Sequence, residues 1–237
     1  MKYPKVVFKK MSLEDNIDII KWTYFENNLN TNTINCFPKL KNIDNKSDKE
    51  INKLIEEVVR EEYNLKISKI ESDIKRYNDL WNKINDKYFE KLYNYFNVEL
   101  DKDEIEAYVG IIPTFPRYLD KLSFSIGLDI DKEFLYRIVA HEVLHFAWFK
   151  KWSILHPETP KEHYDTPYIE WEYSEMVTDS ILNNDPFKEF NFKEKSYDYF
   201  YELEDGNVMN KLKKIYSTND NIEKKINSGF EYIKKVL

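Results

Sequence analysis

Apolar residues recur every three or four positions across residues 48–96, the spacing of amphipathic helices. The pattern begins at Ser47 or Asp48 and is long for one globular helix, so we expect two or three helices with a break near residues 64–68. Strict heptads are not sustained, which favours a helical layer packed within the protein over a coiled coil that binds a partner. The recurring residues are Ile51, Leu54, Ile55, Val58, Val59, Leu65, Ile67, Ile70, Ile74, Tyr77, Leu80, Trp81, Ile84, Tyr88 and Leu92.

Between residues 101 and 130 the pattern changes to an alternation of apolar and polar residues, which predicts two β-strands. Pro113 and Pro116 end the first strand, because proline cannot donate a ladder hydrogen bond. Helical periodicity then resumes over residues 134–146. The apolar set of the first strand is Ile105, Ala107, Val109 and Ile111, and that of the second is Leu122, Phe124, Ile126 and Leu128.

Shorter patterns account for the rest of the chain. Ser12 is suited to cap a helix over residues 12–26. The polar segment 27–47 and the proline-containing segment 153–169 are expected to be loops. The remaining helices are expected at three places: 173–182, about 207–217 and about 219–236.

These patterns together predict an α+β protein that is predominantly helical, with a small antiparallel or mixed sheet. Only 4 of the 237 residues are glycine, which argues against glycine-rich phosphate-binding loops. The change of pattern near residue 100 suggests two regions. We expect residues 1–100 to form a mainly helical N-terminal region and residues 101–237 to contain the sheet and the C-terminal helices, with one compact unit as the alternative.

Charge and cysteine content exclude several classes of function. The net charge is −7 and the 36 basic residues are scattered among acidic ones, so a nucleic-acid binder is not expected. Cys36 stands alone and cannot form an internal disulfide or a multi-cysteine metal site. The apolar run near the N-terminus has three residues, too short for a signal peptide, and no stretch approaches the ~20 apolar residues of a membrane span. We therefore expect a cytoplasmic location.

The chemistry of the chain centres on the segment His141-Glu142-Val143-Leu144-His145. This is a His-Glu-x-x-His motif within a predicted helix, where residues four apart lie one turn apart on the same face. Two imidazoles so placed can bind one metal ion, and the Glu142 carboxylate can act as a general base on a metal-bound water. The motif therefore predicts a catalytic zinc site with one ion per chain.

Such a site needs a third protein ligand and an open position for water. Trp148 and Lys151 stand where the metzincin pattern requires glycine and a third histidine, so that pattern is excluded. Glu175 and Asp179 are four residues apart on the next predicted helix. We expect Glu175 to bind the metal and Asp179 to accept a hydrogen bond from the other ring nitrogen of a ligand histidine, most simply His141.

Two other acids remain rival ligands, Glu170 and Glu172. Glu172 has no aspartate four residues further on, which favours Glu175. The combination of His-Glu-x-x-His with Glu-x-x-x-Asp some thirty residues later resembles the gluzincin metallopeptidases, the thermolysin-like group. The resemblance covers roughly residues 100–185.

This resemblance implies a zincin-like fold, in which the sheet packs on the motif helix, and hydrolysis of a peptide or protein substrate. It implies that an edge strand, here 105–112 or 122–128, pairs with an extended peptide, and Gly127 would allow a close backbone approach. It also implies a Tyr or His that assists the oxyanion. Tyr168 is the preferred choice in this chain, and the other candidates are His156, His163, Tyr164 and Tyr173.

Two alternatives remain open at this stage. The first is a zinc-binding protein of the same fold that is non-proteolytic or latent. The second is a metal-free interaction module built on the helical segment 48–97.

Overall fold

The computed structural model describes residues 2–27, 33, 36–41, 43 and 45–237. This part of the chain is predominantly helical with a small sheet, in agreement with the predicted class. The strands are β1 (Lys5–Lys10), β2 (Glu104–Val109), β3 (Arg117–Tyr118) and β4 (Ser123–Ile126). The α-helices are α1 (Leu13–Asn27), α2 (Asp48–Trp81), α3 (Asn85–Phe96), α4 (Lys132–Leu155), α5 (Ile169–Leu182), α6 (Asp198–Glu202), α7 (Asn207–Tyr216) and α8 (Ile222–Ile233). No helix among the described residues has the length and apolar character needed to cross a membrane.

The chain forms two compact units, each assembled from separate segments. The sheet unit contains residues 5–83 and 102–131, and the helical unit contains residues 1–4, 84–101 and 132–237. This division differs from the predicted boundary near residue 100. The reason is that β1 pairs with β2, which brings the start of the chain together with a segment about a hundred positions later. The sheet and the motif helix, which were expected in one region, therefore belong to different units.

The sheet of the sheet unit is mixed, with the strand order β1-β2-β4-β3. β2 is paired in parallel with β1 on one side and with β4 on the other, so the predicted strand 105–112 has no free edge. β4 is paired with β3 as well, and the N–H of Ser125 donates to the carbonyl of Pro116 at 2.9 Å. The expectation that either strand offers an open edge to a peptide is therefore wrong. The backbone that approaches Gly127 closely is the chain's own, at the Ile112 carbonyl.

Two strands were not predicted, β1 and the two-residue β3, and β1 is the longer of them. Val6 and Phe8 are buried and point to the same face, while Lys5 and Lys9 alternate with them. This alternation was present in the sequence, but a six-residue strand with three lysines lies at the limit of what periodicity can detect. Because β1 pairs in parallel with β2, its register depends on a partner far away in the sequence.

The long helix α2 continues through residues 64–68, where a break was expected, and ends instead at Trp81. Leu65 is 74 % exposed, so it does not belong to the buried stripe. The stripe passes from Tyr63 to Ile70 and Tyr77, which are seven residues, or about two turns, apart. The helix starts as predicted, since Ser47 forms a capping box with Glu50.

Polar side chains of α2 attach it to the strands of the sheet unit. The Tyr63 hydroxyl donates to the Met11 carbonyl at 2.8 Å, and the Tyr77 hydroxyl donates to the Gly127 carbonyl at 3.1 Å. Asn78 accepts from the N–H of Phe8 at 3.2 Å. These bonds satisfy backbone groups that the sheet leaves unpaired.

The core of the helical unit is aromatic. Trp148 and Trp152, one turn apart on α4, stack with ring centroids 5.0 Å apart, and the Tyr173 ring of α5 meets the Trp148 ring edge-on at 5.6 Å. The Tyr173 hydroxyl donates to the Ile226 carbonyl at 3.0 Å. A Cβ at Gly229 would lie 2.1 Å from this hydroxyl, so only glycine fits there. Helices α4 and α5 are thus fixed to each other and to α8.

Helix boundaries in this unit differ by a few residues from the predicted ones. α4 extends to Leu155, inside the predicted loop, and α5 begins at Ile169, four residues earlier than expected. Pro167 disfavours a helical conformation at the preceding residue, which accounts for a start just after it. The two C-terminal helices, α7 and α8, lie where they were predicted. Of the predicted loop 27–47, residues 28–32, 34–35, 42 and 44 lie outside the described part.

Asp73 is a buried charged residue of the sheet unit, with a side chain that is 1 % exposed. Its carboxylate accepts from the Arg76 guanidinium at 2.7 Å and from the N–H of Asp129 at 2.9 Å, and Lys69 lies 3.3 Å away. Burial alone would raise the pKa of Asp73, but the Asp129 N–H, Arg76 and Lys69 together lower it.

We predict that Asp73→Asn lowers the free energy of unfolding by about 2 kcal/mol at pH 7, because it removes charge-assisted hydrogen bonds from a buried site. The lowered pKa means that this stabilisation is complete above the unfolded-state pKa of about 3.9 and is lost as the pH falls below it. Urea unfolding of parent and variant at pH 7, 4 and 3 should therefore show a difference that shrinks with acidification. Asp79→Asn, an exposed aspartate of the same helix, is the control; an equal loss in both variants would contradict the assignment.

Candidate metal centre

The two histidines of the motif lie one turn apart on α4, as predicted, and their Nε2 atoms face each other at 3.0 Å. His145 is fully buried, and the side chain of His141 is 19 % exposed. The helix itself is buried on several sides, which shields the His145 ring from solvent and leaves part of the His141 ring accessible.

Glu175 of α5 completes the group. One of its carboxylate oxygens, Oε2, lies 3.2 Å from His141 Nε2, and the other, Oε1, lies 3.2 Å from His145 Nε2. One ligand atom from each of the three residues lies within 4.8 Å of the others. Within the described residues this is the one group of three or more His, Cys, Asp or Glu side chains with metal-binding geometry.

These distances fit a tetrahedral zinc ion. Zinc binds imidazole nitrogen and carboxylate oxygen at roughly 2.0–2.2 Å, so two ligand atoms at tetrahedral corners are about 3.3 Å apart. In the protein the two Nε2 atoms are 3.0 Å apart, and each lies 3.2 Å from one oxygen of Glu175, Oε2 for His141 and Oε1 for His145. His141, His145 and Glu175 would supply three ligands to such an ion and leave a fourth position for water, as a catalytic zinc requires.

The electrostatics favour a cation at the same place. Burial alone would raise the pKa of Glu175, but the imidazoles of His145 and His141 hold it well below its ordinary value. Burial alone would lower the pKa of His141, but the carboxylates of Glu194 and Glu175 raise it well above its ordinary value. Two buried carboxylates thus surround His141, and a divalent cation with neutral imidazoles would balance their charge.

Glu194 is the site residue that the sequence did not reveal. Its Oε1 lies 3.1 Å from His141 Nδ1, and the residue is 7 % exposed. Because an ionised carboxylate can only accept, Nδ1 must carry a proton, so a neutral His141 imidazole would have its lone pair at Nε2, the atom that faces His145 and Glu175. Glu194 lies in a stretch, residues 191–197, without helix or strand, so no periodicity pointed to it.

Asp179 does not occupy the position that was predicted for it beside His141. Its Oδ1 accepts from Asn183 at 2.6 Å, and its Oδ2 accepts from the Tyr201 hydroxyl at 2.6 Å and from Lys213 at 2.8 Å. His141 Nδ1 donates to Glu194 Oε1 instead. The spacing of four places Asp179 one helical turn beyond Glu175, where its carboxylate binds these three side chains.

The two rival acids lie apart from the cluster of ligand atoms. Glu170 contacts His163, with Oε2 at 3.1 Å from Nδ1. Glu172 is on the same helix as Glu175, and burial raises its pKa. The structure therefore brings Glu175, and neither rival, to the two histidines.

The residues that were candidates to assist the oxyanion contact different neighbours in the structure. Tyr173 is in the aromatic core and its hydroxyl is 2.8 Å from that of Tyr216, so it is occupied structurally. The Tyr168 ring stacks on His163 at 4.2 Å, and its predicted role stays a prediction. Tyr199 was not considered from the sequence. Burial, together with the carboxylates of Glu172 and Glu175, raises its pKa to about 12, which places its phenol within electrostatic range of Glu175.

His156 and Tyr164 make other contacts. His156 Nε2 lies 3.0 Å from Asn227 Oδ1, and its ring packs on Trp152 at 4.2 Å. The Tyr164 ring stacks on Phe149 at 4.7 Å. Glu142, the predicted general base, is 7 % exposed and follows His141 directly on α4.

In comparisons with known proteins, no protein-family model, curated protein or solved structure matches the chain.

We predict that Glu194→Gln weakens zinc binding about 10-fold to 100-fold, the usual effect of losing an outer partner of a ligand histidine. The amide has no charge and no longer selects the Nδ1-protonated imidazole. Competition with a chromophoric chelator at pH 7 measures the affinity.

The matched control is Glu189→Gln, a glutamate of the same unit that pairs on the surface with Lys87 and Lys91. The control should bind zinc like the parent. Equal zinc affinity in parent and Glu194→Gln would show that Glu194 does not hold His141.

Proposed function

We propose that the protein is a zinc-dependent metallopeptidase of the gluzincin type, which hydrolyses peptide bonds with Glu142 as general base. The observation that carries this proposal is the convergence of His141, His145 and Glu175 from two helices, at separations that suit one tetrahedral ion. In the motif that resembles the gluzincins, Glu142 follows the first histidine ligand on α4. Because Glu142 is not one of the three proposed ligands, its carboxylate can serve as the general base.

The proposed chemistry divides between the ion and the chain. Zinc bound by these residues would act as a Lewis acid and lower the pKa of a bound water to about 7. Glu142 then accepts a proton from the attacking water and passes it to the amine that leaves. Its burial, at 7 % exposure, limits competing hydration of the carboxylate.

The remaining residues keep the ligands in place. Glu194 holds the proton of His141 at Nδ1, so that Nε2 faces the ion. Glu175 supplies the negative charge that partly neutralises the cation. Tyr168 and Tyr199, whose phenol interacts electrostatically with the Glu175 carboxylate, are the candidates to donate a hydrogen bond to the developing oxyanion.

The alternative of a metal-free helical module receives less support. It was motivated by the apolar stripe of residues 48–97. That stripe is buried within the chain, and Ile55, Ile70 and Trp81 have no exposed surface. A zinc protein without peptidase activity remains the second candidate, because the same ligand set would serve it.

We predict that Glu142→Gln lowers kcat by about 10²-fold to 10⁴-fold, the usual contribution of a general base, and leaves zinc bound at one ion per chain. Glutamine keeps the size of the side chain but cannot take a proton. Cleavage of a mixed peptide library, followed by mass spectrometry, gives the rate, and atomic emission gives the metal content.

Glu133→Gln is the matched control, since Glu133 is exposed in the first turn of the same helix. It should cleave at the parent rate. Full activity in Glu142→Gln would refute the mechanism. One zinc per chain with no cleavage by the parent would refute the peptidase assignment in favour of the second candidate.

A further inference from the structure

Three polar residues line one face of α5 and its C-terminal cap, each four positions after the last: Glu175, Asp179 and Asn183. Residues with this spacing lie above one another on a helix. The first is a candidate metal ligand, and the second binds the third, with Asn183 Nδ2 donating to Asp179 Oδ1 at 2.6 Å. The row therefore extends from the metal centre to the end of the helix.

The side-chain amide of Asn183 binds both backbone groups of Glu194. Its Oδ1 accepts from the Glu194 N–H at 2.8 Å, and its Nδ2 donates to the Glu194 carbonyl at 2.8 Å. The opposite orientation of the amide would place its NH₂ group against the Glu194 N–H, so the assignment is fixed by the partner. Both Nδ2 hydrogens and the oxygen of Asn183 are thus in use.

A second connection holds the same segment two residues further on. The Tyr201 hydroxyl donates to Asp179 Oδ2 at 2.6 Å and accepts from the N–H of Ser196 at 3.2 Å. Ser196 Oγ in turn donates to the carbonyl of Glu175 at 2.8 Å. Residues 194–196 are therefore attached to α5 through three side chains.

These attachments matter because residues 191–197 have no helix or strand of their own. Without ladder hydrogen bonds, the backbone position of Glu194 depends on whatever side chains bind it. When the N–H and the carbonyl of one residue are both held, the direction of its Cα–Cβ bond is set. Only side-chain rotation then remains for the Glu194 carboxylate to reach His141 Nδ1, 3.1 Å away.

We propose that Asn183 is a positioning residue of the metal centre, which holds the main chain of Glu194 against α5 so that the Glu194 carboxylate stays on His141. The inference rests on the proposed metal site. Asp179 acts through the same connection, as the acceptor that orients the Asn183 amide. Lys213 also contacts Asp179, but its side chain is 42 % exposed, and such a pair contributes little.

The test is the zinc affinity of Asn183→Ala, measured by chelator competition. We expect an affinity about 10-fold lower than that of the parent, comparable with loss of an outer partner. Asn184→Ala is the matched control. Asn184 is the next residue, of the same type, and donates to the Ser180 carbonyl at 3.0 Å at the same helix end, but it does not bind Glu194. It should bind zinc like the parent.

A double-mutant cycle separates positioning from a general loss of structure. If Asn183 acts through Glu194, then Asn183→Ala should weaken zinc binding much less in the Glu194→Gln background than in the parent. Equal losses in the two backgrounds would overturn the proposal. Tyr201→Phe serves if Asn183→Ala folds poorly; it removes the second connection and keeps the ring, and should weaken zinc binding in the same direction. Parent-like affinity in the variant that folds would also overturn the proposal.

A metal-free measurement keeps this inference distinct from the proposed function. In the apo-protein, the ¹H and ¹⁵N chemical shifts of the His141 Nδ1–H group should show its hydrogen bond to Glu194, and Asn183→Ala should move them toward the values of a weaker bond. Unchanged shifts would refute the role of Asn183 whether or not the protein is a peptidase. Failure of the parent to bind zinc, with the shifts changed as expected, would refute the proposed function alone.

Discussion

The arrangement of the helical unit depends on two buried carboxylates that contact opposite sides of one imidazole. Glu175 contacts His141 at Nε2 and Glu194 contacts it at Nδ1, and both acids are almost fully shielded from water. Carboxylates in such a place must be compensated by positive charge. The His141 imidazole provides it by taking up a proton, as its raised pKa indicates. A divalent cation would compensate the carboxylate charge as well, because it would lie between the candidate ligand atoms of His141, His145 and Glu175.

Helix α5 supports this arrangement because two of its sides contact different parts of the helical unit. One side presents Glu175, Asp179 and Asn183 toward the metal centre and the segment that contains Glu194. Another side presents Tyr173 to the aromatic core, where its hydroxyl reaches the backbone of α8 beside Gly229. A helix anchored in a dense core can place a ligand atom within the few tenths of an ångström that metal geometry demands.

Much of the fold followed from local periodicity. The helices α1, α7 and α8 and the strands β2 and β4 lie where the patterns of burial and capping predicted them. Two features of the fold differ from these predictions, each for its own reason. Leu65 suggested a break in α2, but the helix simply exposes it, and β1 was overlooked, because its burial depends on a partner strand some hundred residues away. The parallel pairing of β1 and β2 also explains why the two units are not successive stretches of chain.

The sequence by itself determined the residues whose relation is local. His141, Glu142 and His145 lie within one helical turn, and Glu175 follows from the same spacing rule on a second helix, because the α-helix translates an interval of four into a shared face. Tertiary structure decided what lies beside the other nitrogen of His141. Glu194 is 53 residues away in an irregular segment, and it arrives there through hydrogen bonds of Asn183 to its backbone. No periodic rule connects such positions, since the contact exists only once the chain has folded around α5.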